Sequence, residues 1–275
     1  MSVITISQHH GAGGEEVAEK VAERVGYRIV AREEIQEKLI ELAGEGTAEI
    51  VIAEKSPGII DRLTGDTDVR VTKSLLTESI LSFAKEGSVI LLGRGGFDIL
   101  QEAPGALHLF FTDTPDKRAD HMSRKEKTSL KDARDDVKRV DKIRPGFFKT
   151  YFGKDWPDPV LFHLSIKPLS IGIDTCADAV VSVAGKMDIS SSFEKEGRSF
   201  IQTKLLLTAV TNRIVLNSDI DIELFEVDLL DDERIGIKFS HALGVKFARV
   251  PLDVREKAIK VAGDFAQDFA VIEVK

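Results

Sequence analysis

Gly11, Ala12, Gly13 and Gly14 form a glycine-rich turn between an apolar, β-branched run at residues 3–7 and a helical pattern carried by Val17, Ala18, Val21, Ala22 and Val25. A strand that ends in such a turn and opens a helix offers backbone N–H groups and the positive end of the helix dipole to an anion. Glycine lets a phosphate approach the main chain. A common phosphate loop continues with Lys and then Ser or Thr, but here Gly14, Glu15 and Glu16 fill those positions. Two carboxylates there repel phosphate unless Mg2+ intervenes, which would make Glu16 a metal ligand, or unless the side chains turn away. His9 and His10 lie in the same turn. Protonated, either would partly replace the missing lysine charge; packing is the simpler reading.

A second glycine turn, Gly93-Arg94-Gly95-Gly96, follows the apolar run 88–92. A guanidinium fork grips phosphate oxygens where small neighbours leave room, so Arg94 is a candidate anion ligand, with an ion pair to a neighbouring helix as its structural alternative. Charge is also uneven. Residues 117–154 hold thirteen Lys/Arg against six Asp/Glu, an excess of +7 in a chain of net −8, which leaves −15 elsewhere. Such an island is either a solvated helix face or a grip for a polyanion such as a triphosphate.

Strands must deliver both turns to one place. The pattern predicts strands at 3–7, 27–30, 88–92, 106–111 and 161–166, alternating with helices at 17–25, 33–43, 69–85, 97–102, from Pro115, from 130, and at 172–183. Residues 44–68 read as loop with a short helix. Thr114-Pro115 is a helix start, Ser129 and Asp132 make a capping box, and Pro145-Gly146 should end or kink the helix that follows. The alternation implies a parallel sheet with helices on both faces, whose ligands sit beyond the C-terminal strand ends, where both glycine turns fall. Beyond residue 187, polar residues 188–198 read as a linker. Residues 199–275 read as a small α+β unit of order αββαβ: helix 200–216, strands 220–230 and 234–243, helix 252–267 and strand 269–274. This order resembles a BON domain, a module associated with membrane or ligand contact.

With 275 residues, 43% of them hydrophobic, the chain can bury a substantial core. It has no long apolar run and no basic, apolar leader, so a cytoplasmic protein is expected; the acidic balance argues against a nucleic-acid partner. Oligomeric state stays open, a homo-oligomer included. The single Cys176 reads as a small buried hydrophobe.

Val3-Ile4-Thr5-Ile6-Ser7 through Gly14, Arg32-Glu33-Glu34-Ile35, Val89 to Gly95, Pro104-Gly105, Asp141-Lys142-Ile143-Arg144 and Tyr151 to Trp156, in this order, resemble the cytidylate-kinase-like family over about residues 1–185. The resemblance implies a P-loop kinase fold with a helical lid, ATP and Mg2+ as cofactors, and γ-phosphoryl transfer to a nucleoside monophosphate. By the same resemblance, Gly11, Ala12, Gly13, Gly14, Glu15 and Glu16 would hold the donor, and Arg32 and Arg94 the acceptor phosphate. Arg94, Arg118, Arg124 and Arg144 would supply transition-state charge. Asp141 would orient Arg144 or contact the acceptor base, with a helix-surface salt bridge as its alternative. Trp156 with Pro157 and Pro159 reads as a rigid aromatic anchor. The chain departs from the family at Glu15, where a basic residue is usual, and at Ala31, where an acid is. It also has Phe162 and Lys167-Pro168 in place of an aromatic hydroxyl and an Asn-Thr pair. Three functions stay open: a nucleotide kinase, a nucleotide binder without catalysis, and an interaction protein acting through its C-terminal unit.

Overall fold

In the computed structural model the described residues are 3–44, 69–187, 191–218, 220–239 and 250–274. They belong to two compact units, Met1–Thr67 with Ser79–Ile201, and Asp68–Glu78 with Gln202–Lys275. The first is built on β1 (Val3–Gln8), β2 (Arg28–Val30), β3 (Val89–Leu92), β4 (Ala106–Phe111) and β5 (Leu164–Ile166). All are parallel, in the order β2-β3-β1-β4-β5. Every position of β4 is buried, as expected of a parallel strand covered on both faces, so its sequence is apolar at every position but His108 rather than alternating.

Helices α1 (Gly14–Val25), α2 (Arg32–Ala43), α3 (Val69–Ala84), α4 (Gly96–Ile99), α5 (Pro115–Glu126), α6 (Leu130–Phe152), α7 (Pro168–Ile171) and α8 (Ile173–Met187) surround or cap this sheet. α1 buries Val17, Ala18 and Val21 against Ile4, Ile6, Phe111 and Val180. It ends at Gly26, whose φ of 72° lets its N–H return to the Ala22 carbonyl at 2.8 Å. Cys176 is wholly buried in the same cluster, and burial pushes its thiol up to about 11. It is the hydrophobe that the composition suggests.

Thr114 and Ser129 cap α5 and α6 as expected, accepting from the Lys117 and Asp132 amides. Pro145 does not end α6, which runs 23 residues through it. Proline removes one helical hydrogen bond, but Phe147, Phe148, Tyr151 and Phe152 beyond it are all buried, and each large apolar side chain contributes about 1.5–3 kcal/mol. Packing outweighs the lost bond.

The second unit contains the later part of α9 (Ser191–Ser218), then β6 (Phe225–Asp231), β7 (Arg234–Phe239), α10 (Leu252–Phe265) and β8 (Ala270–Val274), the order expected from the sequence. β7 is central, antiparallel to β6 and parallel to β8. Asp68–Glu78 joins this unit, where Glu78 accepts from Asn212 Nδ2 at 2.7 Å and Arg70 pairs with Asp221 and Glu223. α9 begins at Ser191, inside the stretch read as linker. Gly197 is not a linker glycine: a Cβ there would collide with the Pro104 carbonyl oxygen. The expected loop and short helix at 44–68, and residues 240–243 of the second strand, lie outside the described residues. Among the described residues no helix is long and apolar enough to cross a membrane.

Candidate functional site

Both glycine turns open at the C-terminal end of the sheet, at the ends of the neighbouring strands β1 and β3. In the first, Gly11 and Gly13 take φ of 77° and 81°, and Ala12 N–H donates to the His9 carbonyl at 3.1 Å. The amide of Gly14, the first residue of α1, donates to Gln8 Oε1 at 2.8 Å. A neutral side-chain oxygen thus stands where a phosphate loop presents an N–H to its anion. The acidic pair has turned onto helix α5. Lys125 Nζ lies 2.7 Å from Glu15 and 3.1 Å from Glu16, and His121 Nε2 lies 3.0 Å from Glu16. Burial would raise the Glu16 carboxyl, but its own backbone amide and Lys125 hold it below the usual range. The loop does have a cation, supplied from elsewhere in the chain. Its signal in the sequence is the i,i+4 spacing of His121 and Lys125 on one helix face.

The second turn places Arg94 at φ 54°, 8% exposed. Arg94, Arg32 and Arg144 line one open recess together with Ser7, Gln8 and Glu15, and with Phe147 and Phe148 as an apolar wall. Each arginine comes from a different element: the start of α2, the turn after β3, and α6. Arg144 donates to the Gln8 carbonyl at 2.7 Å, and its guanidinium lies 5.9 Å from the Trp156 ring. Trp156 in turn donates to Ser7 Oγ at 3.0 Å and stacks on Phe148 with 4.9 Å between centroids. It is an anchor, as its sequence context suggests, and it braces this cavity. Three guanidinium groups on one concave surface fit a phosphate dianion.

The other sequence candidates are placed differently. Arg118 is buried and donates to both oxygens of Asp141, at 3.0 and 2.6 Å, and to the carbonyls of Asp113 and His10 at 3.0 and 2.9 Å. Asp141 is therefore held by Arg118. Arg124 is exposed, pairs with Asp120 one turn away, and lines neither the loop recess nor the arginine cavity. His9 donates to or accepts from Thr112 Oγ1 at 2.7 Å and meets Phe110 and Trp156 edge-on; burial, with Arg118 and Arg144 nearby, lowers its pKa to about 4. It is neutral near pH 7 and does not replace the lysine charge. Burial lowers His10 as well, against the opposing pull of Asp136 at 2.7 Å.

Mg2+ takes an octahedron of oxygen ligands, and among the described residues no group of three or more His, Cys, Asp or Glu gathers to hold a metal. The Glu16 carboxylate faces an ammonium and an imidazole. So placed, the Glu16 carboxylate and the first helical amide of the loop are engaged by the chain's own side chains and turned from Mg2+ and a triphosphate.

Residues 3–168 match the model of the cytidylate kinase-like family. A cytidylate kinase from Ignicoccus hospitalis is 25% identical over 182 residues, which is 66% of this chain and 97% of that protein. The crystal structure of an uncharacterized protein from Eubacterium ventriosum, 20% identical, superposes with a TM-score of 0.53 over 67% of this chain and 98% of that one, a likeness of fold. With the match spanning more than half its length, the chain belongs to the cytidylate kinase-like family.

Proposed function

We propose that the first unit binds a nucleoside monophosphate, with the phosphate held by Arg32, Arg94 and Arg144, and that it does so without γ-phosphoryl transfer. The observation that carries this reading is the convergence of those three arginines, from three separate elements, on one cavity. Of the functions left open by the sequence, this is the nucleotide binder. The acceptor side of a nucleoside monophosphate kinase keeps its cationic ligands, whereas the donor loop has its first helical amide and its acidic pair engaged by Gln8 and Lys125. The name of the Ignicoccus relative makes cytidylate the first nucleotide to titrate.

Calorimetry of the full chain with CMP, dCMP, UMP and AMP, beside a coupled ADP-release assay with ATP and Mg2+, tests both halves of the proposal. Saturable binding of at least one monophosphate and no turnover above an Arg94→Ala control are expected. Turnover would reinstate the kinase; absence of binding by all four would remove the nucleotide reading.

A further inference from the structure

The arginine cavity and the loop recess share a wall: Gln8, Glu15 and Arg32 line both. We propose that Gln8 and Glu15 restrict the ligand of the arginine cavity to a single phosphate, making the site selective for nucleoside monophosphates over di- and triphosphates. This deepens the preceding reading and rests on it.

A second phosphate entering the loop recess would need an N–H donor and a compensating charge. The Gly14 amide already donates to Gln8 Oε1. That amide oxygen accepts the bond without bringing a negative charge beside Glu15, which a phosphate oxygen would do. The recess is lined by three carboxylates, Glu15, Glu16 and Glu126, against Arg32 and a lysine already engaged by two of them. Like charge at short range opposes a polyphosphate, and Lys125 cannot serve it without releasing the carboxylates.

The glycines do not argue the other way, because the chain's own packing requires them. A Cβ at Gly14 would lie 2.5 Å from Gln8 Oε1 and 3.1 Å from Phe111. One at Gly11 would lie 2.7 Å from the Met122 side chain, and one at Gly13 3.1 Å from both Leu169 and Ile173. Neighbouring side chains thus crowd the loop from behind, while Gly11, Gly13 and Gly14 still line its recess.

Calorimetry of the full chain with CMP, CDP and ATP·Mg2+ tests the wall. The native chain is expected to bind CMP at least ~30-fold tighter than CDP and to give no heat with ATP·Mg2+, as expected for a like charge placed against an incoming one. The Glu15→Gln variant keeps the shape of a half-exposed side chain, so it should fold, and it should narrow the CMP/CDP ratio by roughly threefold or more. The double variant Gln8→Gly, Glu15→Ser should in addition acquire heat with ATP·Mg2+ or inorganic triphosphate. Equal affinity of the native chain for CMP and CDP, or an unchanged ratio in Glu15→Gln, overturns the wall. If the native chain binds no CMP, the cavity reading fails, and triphosphate binding gained by either variant still scores the wall by itself.

Discussion

The two glycine turns of the first unit end neighbouring parallel strands and look alike in sequence, yet they have come to opposite uses. At residues 11–14 the main chain is approached closely by Gln8, Met122, Leu169 and Ile173, and the acids that follow are tied to Lys125. At residues 93–96 the turn delivers a guanidinium to a cavity shared with two more. Glycine after a strand therefore reports close approach to the backbone and does not say whether a ligand or the protein itself makes that approach. The neighbouring charged residues decide it.

Substitution at Gly95 should break the second turn most severely. Its φ is 77° and a Cβ would collide with the Phe152 ring, so Gly95→Ala should cost about 3–5 kcal/mol, read as a fall in the urea midpoint. Gly26→Ala is the control, with φ 72° and nothing within 4 Å, and should cost only about 1–2 kcal/mol. Next in size is Arg94→Ala, which should weaken cytidylate binding by about 1.5–3 kcal/mol, roughly tenfold to over a hundredfold, in calorimetry. Loss of that order at Arg124 instead would move the site off the second turn.

The pH dependence of stability sharpens the account of the first turn. Burial lowers His9 and His108 each to about 4 from an ordinary 6.5. Between those values the unfolded chain binds protons that the folded chain refuses, so stability is full above 6.5 and is lost as pH falls toward 4. Unfolding free energies from denaturant titrations at pH 6.5 and 5 should differ by about 3 kcal/mol, and His108→Gln should roughly halve the difference. A flat profile in the His108→Gln variant would mean that His9 is charged in the loop. The smallest effect belongs to Lys125→Met. That side chain is 44% exposed, and removing its ion pairs should change stability by under ~1 kcal/mol.

Periodicity and turn chemistry made the sheet legible. Continuous apolar runs at 88–92 and 106–111 can only be central strands when helices alternate with them, and Thr114 and Ser129 announce their helices through local hydrogen bonds. Pro145 points to a helix end that does not occur, because the burial of Phe147, Phe148, Tyr151 and Phe152 just beyond it offsets its local penalty. In the site, Arg32, Arg94 and Arg144 could be named from their motifs. The partners that define the loop could not. His121 and Lys125 act through long-range pairings, with Lys125 110 residues from Glu15, Gln8 acts across the turn on the Gly14 amide, and each alone is an ordinary polar residue. A separation of 23 residues hid the Arg118–Asp141 fork, in which the arginine is a buried brace.

A co-crystal structure with cytidylate tests the central claim most directly. The account places the phosphate density between the guanidinium groups of Arg32, Arg94 and Arg144, with Gln8 still on the Gly14 amide. Phosphate density at the Gly13 and Gly14 amides, with Gln8 displaced, would contradict it.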